Sequence, residues 1–173
     1  MSTDLFEKVE SGAEFSDCRK YRFALWRIWD NSKPLIMFIG LNPSTANETE
    51  PDNTIKSVTR LSKNLGYGGF YMMNCFPFVS TDPDALKDYD KEVFSQHQFF
   101  INNQKLKAVA VLCKDIVFAW GNFDVVKDLR RDKELLQMFP EAKALILNKN
   151  GSPRHPLYVS ANTKLIPYKT LPQ

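Results

Sequence analysis

Four short apolar runs, each closed by a polar turn, set the hydrophobic pattern of this chain; they cover 34–40, 69–75, 115–120 and 142–148. The first reads Pro34-Leu-Ile-Met-Phe-Ile-Gly40 and passes into Leu-Asn-Pro-Ser-Thr-Ala46. A brief continuous apolar run bounded by proline and glycine reads as a strand buried on both faces. Between the runs the spacing turns helical. Asp52-Asn53-Thr54 offers an N-cap, Ile55, Val58, Leu61 and Leu65 recur on one face, and Gly66 stands where a helix closes. From Asp84 to Lys107 the composition predicts a helix in two pieces, with Val93, Phe94, His97, Phe100 and Ile101 on its inner face. A further helix is predicted over 123–138, capped near Asn122 or Asp124.

Arg19 to Trp29 alternates strictly: Tyr21, Phe23, Leu25, Arg27 and Trp29 share one face, and Arg22, Ala24, Trp26 and Ile28 the other. Asp30-Asn31-Ser32 is turn chemistry, so this strand is expected to pair with 34–40 as an antiparallel hairpin, at an edge of the sheet or beneath it. Residues 1–17 show little periodicity and predict a loose arm or short helix. Strands alternating with helices of this length predict a parallel sheet with right-handed crossovers. The fold class expected is a three-layer α/β/α domain over 1–173, with a four-stranded parallel core sheet, strand 34–40 central, plus an N-terminal strand.

Composition narrows the function classes. Apolar residues make up 43% and charged residues 25% of the 173, ordinary for a folded domain able to bury a core. A formal charge of +3 permits a nucleic-acid partner without arguing for one. No run is long enough to cross a membrane, and the N-terminus has no basic region followed by an apolar stretch, so a cytoplasmic location is expected. Cys18, Cys75 and Cys113 make neither a metal spacing nor a disulfide framework. No Walker sequence and no GxGxxG occurs. No cofactor and no metal are expected, and the oligomeric state is left open.

In a parallel sheet the four polar turns fall on one rim, where ligands bind in open α/β folds. That rim would gather Gly40, Asn42, Pro43, Ser44 and Thr45 from the first run; Asn74, Phe76 and Phe78 from the second; Trp120, Gly121 and Asn122 from the third; and Arg154, His155 and Tyr158 from the last. Amide, hydroxyl, aromatic, imidazole and guanidinium groups suit a planar hydrogen-bonding ligand such as a nucleobase, stacked on a ring and read at its edge. No carboxylate pair stands at a strand end; Asp52 and Asp82 lie just beyond two of them, where capping explains each. A structural reading stays open for every one of these residues. Asn42 and Asn74 could cap turns, His155 could satisfy carbonyls, and Phe76 and Phe78 could be core. His97, inside a helical segment, reads as a partly buried structural histidine.

Taken whole, the chain resembles a bacterial and phage family of unknown function, domain-of-unknown-function family 1643. The resemblance rests on the Tyr21–Asp30 stretch, Gly40-Leu-Asn-Pro-Ser-Thr-Ala46, Asn74, Trp120-Gly121 and Gly151-Ser-Pro-Arg-His-Pro-Leu-Tyr158. More distantly it resembles the uracil-DNA glycosylase superfamily, through Gly40-Leu-Asn-Pro43, the strand ending in Asn74 with its proline-containing loop, and His155-Pro156. It departs from that superfamily at Ser44 and Leu157, and it lacks iron–sulfur cysteines. The resemblance implies a nucleobase, nucleoside or DNA partner. It implies that Asn42 positions water, Asn74 reads the base, His155 stabilises charge building on it, and Phe76 or Phe78 stacks. Three functions compete on this reading: an enzyme cleaving the N-glycosidic bond, a binding module without chemistry, and, ranked last, a Ser44 nucleophile with His155 as base. The last lacks an orienting carboxylate.

Overall fold

The computed structural model describes residues 8–44, 50–86 and 95–169. Its strands are β1 (Glu10–Phe15), β2 (Arg22–Ile28), β3 (Leu35–Gly40), β4 (Gly69–Asn74), β5 (Asp115–Phe118), β6 (Lys143–Ala144) and β7 (Ile166–Pro167). Its helices are α1 (Asn53–Asn64), α2 (Gln96–Ala110), α3 (Asp124–Asp128) and α4 (Arg131–Met138). The strands form one sheet in the order β1-β2-β4-β3-β5-β6-β7. β3 pairs parallel with both β4 and β5, and β5 pairs parallel with β6. The four apolar runs therefore form a parallel centre with 34–40 in its interior. β2 adds antiparallel to β4, β1 to β2, and β7 to β6, so the sheet has seven strands where four plus one were expected.

The alternating side chains of the central strands feed two cores. On one face Ile36, Phe38, Phe70, Met72 and Val117 pack against Ile55, Val58 and Leu61 of α1. On the other, Met37, Ile39, Met73 and Phe118 meet Leu106 and Val109 of α2, Val125 and Val126 of α3, and Leu135 of α4. Helix α1 has the ends its sequence calls for. Asp52 accepts from the Ile55 amide at 2.9 Å. At the other end Gly66 takes a φ of 88°, while the Gly66 and Tyr67 amides close on the Lys63 and Ser62 carbonyls.

Several expectations are corrected. The predicted hairpin between Arg19–Trp29 and 34–40 does not form, because β4 lies between those strands. The turn instead wraps round the start of β4: the Trp29 and Asp30 amides both donate to the Gly68 carbonyl, and the Gly68 amide donates to Pro34. A Cβ at Gly68 would stand 1.9 Å from the Asp30 carbonyl oxygen, so the crossing needs glycine. Part of the predicted loose arm is β1, which seats Gly12 opposite Trp26 and shields β2 from the sheet edge.

The inner face of α2 is set by Asn102, Leu106 and Val109, while Phe100 is 61% exposed and His97 is exposed. Val93 and Phe94 lie outside the described residues. The 123–138 helix is two helices, broken where Arg130 adopts a φ of 55°. The run 142–148 keeps only the two residues of β6 in the sheet.

Candidate functional site

The carboxyl ends of β3 and β4, with the loops that follow β5 and β6, enclose a cavity of about 630 Å³. Gly40, Asn42, Ser44, Asn74, Gly121, Asn122, Arg154, His155 and Tyr158, all expected on the rim, line it together. Thr45 lies outside the described residues. Pro43 is buried behind the wall, where its carbonyl accepts from the Asn42 side chain and the Ser80 amide.

The three remaining aromatic candidates are elsewhere. Phe76 is fully buried in the α2–α4 core, its ring 5.7 Å from that of Phe99. Phe78 packs edge-on against Tyr21. Trp120 is 2% exposed, stacked obliquely on Phe118 at 4.7 Å, and borders a separate cavity of about 830 Å³ on that same face. Trp120 and Gly121 lie beyond the end of β5, where the φ of 82° at Gly121 turns the chain away from the Trp120 side. Among the described residues, the aromatic rings that do reach the first cavity are Phe123 and Tyr158, the latter 74% exposed.

The Asn42 amide group is committed locally. Its Nδ2 donates to the carbonyls of Pro43, Phe78 and Ser80 at 3.0–3.2 Å, tying the β3 turn to the loop after β4. That leaves Oδ1 as its chemically useful atom, an acceptor. Asn74 is different. It is 2% exposed, and its Nδ2 has no hydrogen-bond partner among the described residues. Its main-chain carbonyl is held by Asn102 Nδ2 at 3.0 Å. Gly40 sits directly beside it in the parallel register, and a Cβ there would stand 3.0 Å from Asn74 Oδ1 and 2.6 Å from Met72 Cε. The glycine makes the room that the asparagine fills.

His155 begins a turn of 3₁₀-helix, and its Nδ1 accepts from the Leu157 amide at 3.2 Å. In the neutral imidazole the proton is then on Nε2, which makes that atom a donor. Burial pushes the His155 pKa below its ordinary 6.5, and the charge of Asp52 opposes the shift only in part. The loop carrying His155 is braced. Arg154 Nε donates to Asn148 Oδ1 at 3.1 Å, Asn148 Nδ2 to Ser152 Oγ at 3.0 Å, and the Gly121 amide to the Pro153 carbonyl at 2.9 Å.

Among the lining residues that escaped the sequence reading as site residues, Arg22, Asp52 and Phe123 bear on the chemistry. Arg22 is 3% exposed; burial lowers its pKa to about 10, against the stabilising charge of Asp52. An arginine within a strand whose neighbours are mostly apolar was the available signal, shared with Arg27 of the same strand. Asp52 caps α1 and also accepts from the Ser44 hydroxyl, and its charge is felt at both Arg22 and His155. Its capping role hid it. Phe123 follows Gly121 by two positions, and its ring lies 3.3 Å from where a Cβ on Gly121 would be.

The residues lining the cavity thus carry donors (Asn74 Nδ2, His155 Nε2, Arg22), acceptors (Asp52, Asn42 Oδ1), a hydroxyl and two rings. Among the described residues no three His, Cys, Asp or Glu side chains cluster as metal ligands would, and no helix is long and apolar enough to cross a membrane. In comparison with known proteins, the family model described as "Protein of unknown function (DUF1643)" matches residues 22–157, which span the sheet from β2 to the His155 turn. No curated protein and no solved structure matches the chain.

Proposed function

Because the chain belongs to the DUF1643 family, whose description assigns no activity, its chemistry has to be read from the cavity: we propose that it binds a nucleobase there and hydrolyses the N-glycosidic bond joining that base to its sugar. The fold we infer is of the uracil-DNA-glycosylase type. Asn74 is the observation that carries the reading. A buried amide donor without a partner costs about 1–3 kcal/mol unless a ligand supplies the acceptor, and Asn74 Nδ2 is such a donor, in a residue that lines the cavity. An asparagine amide offers a donor and an acceptor side by side, which matches the edge of a base. The cavity volume of about 630 Å³ falls in the range of small-ligand sites. Its place beyond the carboxyl ends of β3 and β4 is where open α/β sheets bind ligands.

In the proposed step the bond from the sugar C1′ to the base nitrogen breaks, and its electron pair leaves with the base. His155 Nε2–H donates to the charge that builds there. A water oxygen forms the new bond to C1′. Asn42 Oδ1 orients that water, and Asp52 takes its proton, which returns to the departing base. Phe123 or Tyr158, in place of Phe76 or Phe78, stacks on the base. Asp52 also supplies the carboxylate that the Ser44 nucleophile lacked. Nothing else in the cavity favours acyl transfer over base release.

The second reading is a binding module that keeps the base site without the chemistry. The threefold tie of Asn42 Nδ2 to loop carbonyls favours it, since that is the arrangement of a structural clamp. Base release from single-stranded DNA and from nucleosides carrying uracil, hypoxanthine or alkylated bases, run beside a binding titration, decides between them. Release that disappears in Asp52→Asn is the expected result. Tight binding with no release from any substrate leaves the binding module, and neither binding nor release removes both readings.

A further inference from the structure

The second cavity, about 830 Å³, is lined by Trp120, Tyr168 and Phe123 on its aromatic side and by Lys127, Arg130 and Lys133 on the α3–α4 side. These cations stand at intervals of three residues across the break between the two helices. All three are exposed, and none has a carboxylate partner within ion-pair distance among the described residues. One carboxylate, Asp132, lines the same groove; its Oδ1 is buried without a hydrogen-bond partner among the described residues, and its charge acts on Tyr168 and Cys75. Among the described residues, three cations without a carboxylate partner against one inward carboxylate leave the groove positive. In the first cavity, by contrast, Arg22 faces Asp52 and Arg154 is held by Asn148, so cationic groups there are already engaged.

The two cavities share a wall. Phe123 lines both. Its ring lies beside Gly121, whose φ of 82° turns the chain there, and a Cβ on that glycine would also stand 3.5 Å from the His155 Cβ. A hydrogen-bonded strap joins the sides: Asn150 donates to Asn122, which borders the first cavity, and Lys127 Nζ donates to the Asn150 carbonyl at 3.3 Å in the second. Resting on the base-site reading above, we propose that this groove binds the phosphate of the ligand whose base occupies the first cavity, so that the substrate is a phosphate ester and not a free nucleoside. Lys127, Arg130 and Lys133 supply the charge, and Phe123 divides base from phosphate. A nucleotide and a strand present the same phosphate chemistry, so both belong in the test.

The test titrates the full chain with deoxyuridine and deoxyinosine, with their 5′-monophosphates, and with a short single-stranded oligonucleotide containing the same bases, at two salt concentrations. It repeats the series on Lys127→Gln/Arg130→Gln/Lys133→Gln, with thermal melting as the fold control. The expected result is tighter binding once phosphate is present, weakening with salt. For the oligonucleotide each phosphate neutralised contributes a slope of about 0.7 in log affinity against log salt, so the triple variant should lose a slope of about 0.7 for the one phosphate seated in the groove, and roughly tenfold or more in affinity. Its binding of the bare nucleosides should be unchanged. A gain for the monophosphate identifies a nucleotide, and a gain for the oligonucleotide alone identifies a strand. Equal, salt-independent binding of nucleosides and phosphate esters overturns the groove while leaving the base site intact. A variant that keeps the wild-type salt slope overturns it as well. Phosphate-dependent binding that the variant loses, without any binding of nucleosides, upholds the groove and counts against the base site.

Discussion

Asn74 and His155 do different work at the same cavity, and their variants should separate. Asn74 Nδ2 has no partner to lose among the described residues, and the bond that holds the residue, from Asn102, goes to its backbone. Asn74→Ala should therefore leave melting close to wild type while weakening base binding by about 1–2 kcal/mol, roughly tenfold, read by calorimetric titration. His155→Ala should do the reverse of a binding mutation. Loss of a donor aimed at developing charge costs about a hundredfold to a thousandfold in rate, with much less effect on affinity, because the charge exists mainly in the transition state. His155 also makes stability depend on pH. Its folded pKa is depressed by burial below the ordinary 6.5, so the unfolded chain binds the proton more readily. The stabilisation from the neutral ring is complete above 6.5 and is lost as pH falls below it towards the folded pKa. Denaturant melts from pH 7.5 to 5 should show that acid limb in the wild type and a flatter one in His155→Gln; identical limbs would remove the buried neutral imidazole from the account. At this scale the sequence revealed polar residues after apolar runs, and it placed Asn42, Asn74 and His155 on one rim. It could not reveal that Phe76 and Trp120 point into the core, because a turn after a short strand does not fix the phase of the next side chain.

At the scale of elements, α1 carries the clearest double role. Its N-cap, Asp52, is also the cavity's carboxylate. Asn caps a helix about as well as Asp, whereas Ala costs about 1 kcal/mol. Asp52→Asn should accordingly keep the cap and lose base release, melting lower only through the charge it removes opposite Arg22, and Asp52→Ala should lose the cap as well; a fully active Asp52→Asn would leave the carboxylate as a cap alone. The ends of α1 were legible because capping chemistry is local: Asp52 before the apolar stripe and Gly66 after it need no tertiary context. The inner face of α2 was not. Its stripe includes Asn102, buried to reach the Asn74 carbonyl, while Phe100 is left outside, so a rule that sorts apolar from polar chooses the wrong side. The single 123–138 helix failed for a similar reason. Arg130, with a φ of 55°, ends α3 at a residue that carries no breaker signal.

For the whole molecule, the parallel centre was legible because strands buried on both faces must be apolar throughout. The antiparallel additions were not, since β1 and β7 are edge strands whose side chains are exposed or half-buried. The β2 partner depended on a backbone crossing that only Gly68 permits. Gly68→Ala should thus destabilise by about 1–3 kcal/mol or more, seen as a lower Tm, because the Asp30 carbonyl 1.9 Å from the added Cβ is backbone and cannot swing away. The same sheet brings the ends of β3 and β4 together with the 148–158 loop, and the functional reading depends on that meeting. The most direct measurement is a crystal structure of the protein soaked with a panel of free bases and nucleosides. The expected result is a base in the first cavity with an acceptor on its edge about 3 Å from Asn74 Nδ2, His155 Nε2 directed at the ring, and Phe123 or Tyr158 against its face. A cavity that stays empty across the panel, or a base that binds there without engaging Asn74, would contradict it.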